Sequence, residues 1–306
     1  MRLALIGAGR WGRNYIRTIS GLSGVRLSRL ASSNPESVRL VSADCEVVRA
    51  WQEVLDARFV DGVIIATPPH LHAEMALAAM EAGMPTLLEK PLAMSIDQAR
   101  ALKSKATECG VYSLVDHTHL FHPAYRALKA SLPRQGAILE IRCEAGAFGP
   151  FRPDVPVLWD WGAHDVAMCL DLLGAVPRVS SATVQKTHTN SGQGETVRLE
   201  LSFPHGVEAS IRLCNVMEKT RKLSVRCASG TSVYDGVGSD PLVVTPADGS
   251  PATSVRVSGA APLTVAVTEF VSGIRNRSTD CSSLDLGVKV VEVLQACTDA
   301  ISPEPT

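Results

Sequence analysis

Lys90, in the stretch LLEKPLA, stands where an apolar run ends and a proline follows. A lysine in that place can donate from its ammonium to a hydroxyl or carbonyl oxygen of a bound molecule and stabilise charge developing there. The ordinary alternative is a solvated lysine. Pro91 argues against it, because proline restricts the local turn and biases Lys90 away from helix. A cis peptide is open at that bond, although its rarity counts against it. A second pair lies in WDWGAHDVAMCLDLLG, residues 159–174. Asp160 and His164 are four apart, which places them on one face of a helix's first turn. There the helix dipole disfavours imidazolium and keeps His164 able to accept a proton near neutral pH, while Asp160 pushes the other way and orients the ring. Taken singly, Asp160 serves equally well as an N-cap and His164 as a core histidine. Spacing alone does not decide between these roles.

GAGRWG places Gly7, Gly9 and Gly12 in G-x-G-x-x-G spacing, between a first apolar run and a helical pattern. In that context the first glycine permits a tight turn, the second lets a pyrophosphate approach the backbone, and the third lets helix and strand pack closely. About 20 residues on, an acid would grip an adenosine ribose. The chain has ASSN instead. Ser32 and Ser33 are neutral donors, so a 2′-phosphate meets no carboxylate there, and Arg10 in the loop can add positive charge; NADP(H) is favoured over NAD(H). His117, His119 and His122, in DHTHLFHPAY, invite a metal assignment, but their spacing is not helical and Asp116 is the one carboxylate beside them. No metal site is expected. His119 and His122, with Phe151 and Trp159, are expected to border a substrate pocket, since this stretch links two domains.

The elements that must position these groups change character along the chain. Apolar runs at 2–6, 25–31, 61–67, 85–89 and 111–116 alternate with helical patterns, as strands buried on both faces do. Trp11, Tyr15 and Ile19 mark one helix, and Leu71, Met75, Ala78 and Ala82 before Gly83 another. Repeated strand and helix predicts an α/β Rossmann-type, doubly wound parallel sheet. Past about residue 135 strict alternation takes over, at 138–144, 195–203, 207–213 and 223–227. This predicts an α+β domain with a mainly antiparallel, open sheet and one wet face. A helix is expected at about 160–173, and Leu286, Val290, Val293, Leu294 and Cys297 form a last helical stripe. Residues 245–254 read as a turn-rich loop, and SPEPT at the end as a frayed tail. The expected division is a dinucleotide-binding domain over 1–118 and a substrate-binding and oligomerisation domain over 119–306.

At 306 residues, two domains are favoured over one. The 30 basic and 31 acidic side chains leave a formal net charge of -1, which asks for no nucleic acid. No run is long enough for a membrane span, and the N-terminal apolar run is too short for a signal peptide. Eight cysteines without a C-x-x-C pair read as reduced thiols of a cytoplasmic protein.

The glycine loop, then EKP at 89–91, then a D-x-x-x-H helix and a one-sided sheet together resemble the glucose-fructose oxidoreductase / inositol dehydrogenase / rhizopine catabolism (Gfo/Idh/MocA) family across nearly the whole chain. EKP is the most specific mark, and TPPHLHAEMALAAMEAGMPTLLEKPLA looks like the family throughout. The resemblance implies an NAD(P)-dependent oxidoreductase moving hydride between a nicotinamide and a secondary alcohol or ketone of a sugar, cyclitol or nucleotide-sugar. It implies Lys90 and His164 as the catalytic pair with Asp160 contacting substrate. Gly7, Gly9, Arg10, Trp11, Gly12, Ser32 and Ser33, with Thr67, Pro68, His72, Glu89 and Lys90, would hold the cofactor. The family works without metal and often assembles as a dimer or tetramer through the sheet of the second domain. A sensor without catalysis and a nicotinamide-dependent glycosidase are the competing classes on this fold. The departures are the serines in place of a ribose-binding acid and the tryptophan-rich LWDWGAHD, where many members carry glycines; the second puts the family's better-known substrates in question.

Overall fold

The strands of the first sheet are buried most completely at 3–6, 62–65 and 86–89, as strands covered on both faces are, and carry exposed polar residues at Arg26 and Glu46. They form β1 (Arg2–Ile6), β2 (Arg26–Ala31), β3 (Glu46–Val48), β4 (Gly62–Ile65), β5 (Thr86–Glu89) and β6 (Ser113–Asp116), a parallel sheet in the order β3-β2-β1-β4-β5-β6. Helices α1 (Gly12–Ser20), α2 (His72–Glu81) and α3 (Ile96–Cys109) make crossovers. Ser95 caps α3 by accepting from the Gln98 N–H at 3.3 Å, and Gly110 ends it in the left-handed conformation. The computed structural model describes residues 1–303.

The second sheet has nine strands. After α4 (Pro123–Ser131) come β7 (Ile138–Phe148), the short α5 (Val157–Asp160) and α6 (Gly162–Leu173). Then follow β8 (Arg178–Thr189), β9 (Gly192–Ser202), β10 (Glu208–Cys214), β11 (Val216–Cys227), β12 (Gly230–Asp235), β13 (Leu242–Pro246) and β14 (Thr253–Ser254). The chain ends with α7 (Pro262–Arg275), α8 (Ser282–Ala300) and β15 (Ile301–Pro303). The order is β14-β13-β12-β11-β7-β10-β9-β8-β15, antiparallel except where β10 meets β7 and β15 meets β8. Alternation sorts its faces: Ile141, Cys143 and Ala145 of β7 and Leu199, Leu201, Ile211 and Leu213 of β9 and β10 are buried. The other face is a ladder of charges, with Arg212 paired to Glu144 at 2.5 Å and Arg226 to Glu140 at 3.0 Å. Exposed pairs of this kind contribute about 0–1 kcal/mol each.

The chain does not divide at a single point, as the expected 1–118 and 119–306 would require. One compact unit comprises Met1–His117 with Leu263–Val291, and the other Thr118–Pro262 with the residues from Glu292 on. The reason is the apolar face of α7. Val267, Phe270 and Val271 join the cluster built on Leu3, Leu5, Tyr15, Leu30, Ile64 and Leu87, and the Phe270 ring stacks 5.9 Å from Tyr112. Each fully buried side chain of this kind contributes roughly 1.5–3 kcal/mol, so the first sheet keeps the helix. Of the SPEPT tail expected to fray, Ser302 and Pro303 pair with β8 and the rest lies outside the described residues. The 245–254 stretch likewise carries strand residues, Thr245 and Pro246 in β13 and Thr253 and Ser254 in β14. No described helix is long and apolar enough to cross a membrane.

Candidate functional site

In the first unit the parallel register brings several loops to one edge. Ile6 pairs with Ala31 and Ile65, Ala31 with Val48, and Ile65 with Leu88, so the loops leaving these strands emerge at the same carboxyl-end edge. Gly7 takes φ +102°, and a Cβ there would lie 2.7 Å from the Ala66 carbonyl oxygen. At Gly12 an added Cβ would lie 2.1 Å from the Gly7 carbonyl oxygen, so the loop closes on the helix only with glycine at that place. Gly9 has nothing within 4 Å of an added Cβ and is exposed, which leaves its backbone open to an approaching group. Arg10 and Trp11 are exposed beside it, and α1 begins with no acidic residue in its first turn. The exposed glycine, the exposed cation and the helix N-terminus suit a dinucleotide pyrophosphate.

At the end of β2, the Ser32 hydroxyl lies 2.8 Å from Ser37 Oγ and accepts from the Asn34 N–H at 3.2 Å, while Ser33 is exposed. The Ser32 N–H donates to the Val48 carbonyl at 3.0 Å. The next residue after Val48 is Arg49, exposed, so a cation leaves the sheet beside the two serines. Sequence reasoning missed Arg49, because the short β3 carries no pattern that would set it next to β2.

At the ends of β4 and β5, Thr67 is half-buried and Pro68 exposed. His72 departs from expectation. Its ring is wholly buried, with Nδ1 2.8 Å from the Pro91 carbonyl and Nε2 3.0 Å from the Thr67 carbonyl. Burial holds it below the ordinary histidine range, against the raising effect of those carbonyls. A ring so placed offers a ligand no edge and instead ties the β4 loop to the peptide after Lys90. The Lys90–Pro91 bond is cis and Lys90 is half-buried. Glu89 is also buried rather than lining a surface: the Tyr15 hydroxyl lies 2.8 Å from Glu89 Oε1 and 2.6 Å from Asp116 Oδ2.

In the second unit α5 and α6 meet at Trp161, which has helical dihedrals but no capping side chain. Asp160 therefore closes α5 instead of capping the helix that holds His164. The acid in the first turn of α6 is Asp165, buried and paired with Arg221 at 2.7 Å. A cavity of about 460 Å³ opens among Phe151, Arg152, Asp160, Trp161, Glu195 and Asn215. Arg152 approaches Asp160 at 3.5 Å and Asp154 at 2.7 Å. His164 packs edge-on against His119, ring centroids 4.8 Å apart, and His119 Nδ1 lies 2.9 Å from the Tyr234 hydroxyl. His122 caps α4 by accepting from the Ala124 N–H at 3.1 Å. Trp159, expected at the pocket, is buried and donates its indole N–H to Thr298 Oγ1 at 3.0 Å; Trp161 lines the cavity instead. Tyr234 was missed because its inward position on β12 marks it as core, not as a histidine's partner.

Residues 1–117 match a family described as the oxidoreductase family with an NAD-binding Rossmann fold, GFO_IDH_MocA. A scyllo-inositol 2-dehydrogenase (NADP(+)) of Bacillus subtilis is 26% identical over 190 residues, 58% of this chain and 52% of that protein. A UDP-N-acetylglucosamine 3-dehydrogenase of Acidithiobacillus ferrooxidans is 33% identical over 185 residues, 58% of this chain and 56% of its own. The alignments thus span about half the length of these curated relatives. A solved structure from Magnetospirillum magnetotacticum MS-1, to which an oxidoreductase role is ascribed, is 48% identical and superposes with a TM-score of 0.89, covering 97% of this chain and 99% of that one.

Proposed function

The chain belongs to the Gfo/Idh/MocA family of oxidoreductases, and from that premise we propose that it moves hydride between a nicotinamide dinucleotide and a secondary alcohol or ketone of a sugar, cyclitol or nucleotide-sugar. The observation that carries this reading is the shared edge of the first sheet, where the glycine loop after β1 and Lys90 after β5 emerge on either side of β4. Gly7, Gly9, Arg10 and Gly12 would hold the pyrophosphate, and Thr67 and Pro68 the neighbouring part of the cofactor. The nicotinamide, when bound, supplies or takes up the hydride. Lys90 donates to the reacting oxygen and stabilises charge there. His164 accepts the hydroxyl proton in oxidation and returns it in reduction, its ring supported by His119. Asp160, on the cavity wall with Arg152, contacts substrate hydroxyls. The place of His164 on α6 and its packing against His119 give the imidazole a fixed direction, which a proton acceptor requires.

The test is to follow reduced-cofactor absorbance with a panel of sugars, cyclitols and nucleotide-sugars. Hydride transfer on at least one is expected; tight dinucleotide binding without transfer on any would favour the sensor. The preference for NADP(H) is part of the proposal and rests on Ser32, Ser33, Arg10 and Arg49. A charge-assisted bond to the 2′-phosphate contributes about 1.5–3 kcal/mol, so Arg49→Gln is expected to weaken NADPH binding by roughly tenfold to a hundredfold. NADH binding should stay nearly constant, both read by fluorescence titration. Equal losses for both cofactors would remove Arg49 from 2′-phosphate recognition. The proposal also includes a cytoplasmic setting, in keeping with eight free thiols. It includes a homo-oligomer joined through the outer face of the nine-stranded sheet, where the Glu144–Arg212 and Glu140–Arg226 pairs would be shared with a second copy.

A further inference from the structure

Tyr15, Glu89 and Asp116 form a buried polar cluster in the first unit, in which the proposed chemistry does not use Tyr15 or Asp116. Tyr15 and Asp116 are wholly enclosed and Glu89 is 5% exposed. They come from three elements: α1, three residues after Gly12, the end of β5, and the end of β6, where Glu89 and Asp116 are register partners. One phenol oxygen serves both carboxylates, at 2.8 Å to Glu89 and 2.6 Å to Asp116. A phenol carries one proton and can donate it fully to one acceptor. With both carboxylates ionised, one of these contacts would set two oxygens together with no proton between them, in a site that excludes water.

We propose that the three residues share one additional proton, so that Glu89 is a neutral acid donating to the Tyr15 oxygen while Tyr15 donates to an ionised Asp116. The shorter contact, 2.6 Å, is then the charge-assisted one. The cluster carries a single negative charge instead of two. The electrostatics agree: burial pushes the Glu89 carboxyl well above its ordinary range, and the charge of Asp116 adds to that, against a smaller lowering effect of Lys90. Burial also pushes the Tyr15 phenol up, so it keeps its proton. The charged and titratable groups around Glu89 are Tyr15 from α1, Asp116 from β6 and Lys90, the residue after β5 ends, with His117 buried next to Asp116 and His72 facing the Pro91 carbonyl. Like charges on register-paired carboxylates are disfavoured, and one proton between them removes that conflict. On the dehydrogenase reading, Lys90 then follows a neutral acid that ends β5, and the negative charge of the cluster sits on β6. The protonation itself does not depend on that reading.

The experiment is infrared spectroscopy of the full-length protein at pH 8, with and without carbon-13 in the glutamate side-chain carboxyls. A carbonyl band of a protonated carboxylic acid is expected, moving to lower frequency with the glutamate label and in D2O, and lost in Glu89→Gln. The label separates this proton from one on the buried Asp165. Absence of a label-sensitive acid band in the wild-type protein would overturn the proposal, as would its persistence in Glu89→Gln. The labelled wild-type protein decides the matter even if the variant does not fold. Because no substrate is involved, failure here leaves the dehydrogenase reading standing, and failure of that reading leaves this result unaffected.

Discussion

Replacing Lys90 by methionine, or His164 by glutamine, is expected to lower kcat by roughly two to four orders of magnitude. The double variant should fall little further than the worse single one. Methionine keeps the length and most of the apolar stem of Lys90 but removes the ammonium, so the loss reads the donor and not the packing. Glutamine at 164 keeps a polar group in the place of the imidazole but has no basic nitrogen to accept a proton. On the proposed mechanism the two side chains act together on one oxygen, one holding it while the other moves its proton. Once either is gone the other has little left to contribute. Dinucleotide affinity should change by less than about tenfold in each variant, because the glycine loop and α1 are untouched. Steady-state rates with the substrate found in the panel, together with cofactor titrations, check all three variants. Additive losses, in which the double variant equals the product of the singles, would mean that the two side chains serve separate steps.

The residues of that pair could be singled out in the sequence for different reasons. Lys90 was legible because proline comes directly after it at the end of an apolar run, and strand ends in a parallel sheet are where ligands bind. Gly7 and Gly12 were legible because the positive φ at one and the close approach at the other admit little else. Period-two alternation exposed β9, β10 and the last residues of β11, 223–227, because a sheet with one wet face writes its burial into every second residue. What stayed hidden is contact between residues far apart in the chain. Tyr15 and Asp116 are separated by 101 positions and meet only because α1 and β6 pack on the same sheet. Helix α7 was hidden for a local reason: Val265, Val267, Val271, Thr264 and Thr268 are β-branched and weaken its helical signature. Tertiary packing of Phe270 on Tyr112 overrides that preference. Asp160 and His164 stand four apart in the sequence, but the junction at Trp161, which makes Asp160 the end of one helix and Asp165 the first acid of the next, has no marker in composition.

Arg221→Met is expected to destabilise the protein by about 3–5 kcal/mol at neutral pH, the largest stability effect that the structure points to. Arg221 of β11 reaches Asp165 of α6 at 2.7 Å, with the carboxylate fully buried and the guanidinium over the Trp161 ring, 5.6 Å from its centroid. Asp165 Oδ1 is buried with no partner among the described residues, so the ion pair is the main compensation for that charge. Burial already raises the Asp165 carboxyl above its usual range, and Arg221 is what pulls it back. Without the guanidinium the carboxyl rises further and must take up a proton to stay folded. The sign is set by linkage. A carboxyl raised in the folded state contributes its full stability below the unfolded aspartate range, and loses it as pH rises toward the raised folded value. The deficit of Arg221→Met should therefore shrink as pH falls toward the ordinary value of 3.8 and grow as pH rises through the raised folded value. Urea unfolding of both proteins across that interval measures it. Adding Asp165→Asn to Arg221→Met should recover a large part of the loss and flatten its pH dependence, since a neutral amide needs no counter-charge. A deficit independent of pH, unrelieved by the second substitution, would show that Arg221 stabilises by packing against Trp161 and not by holding a buried charge.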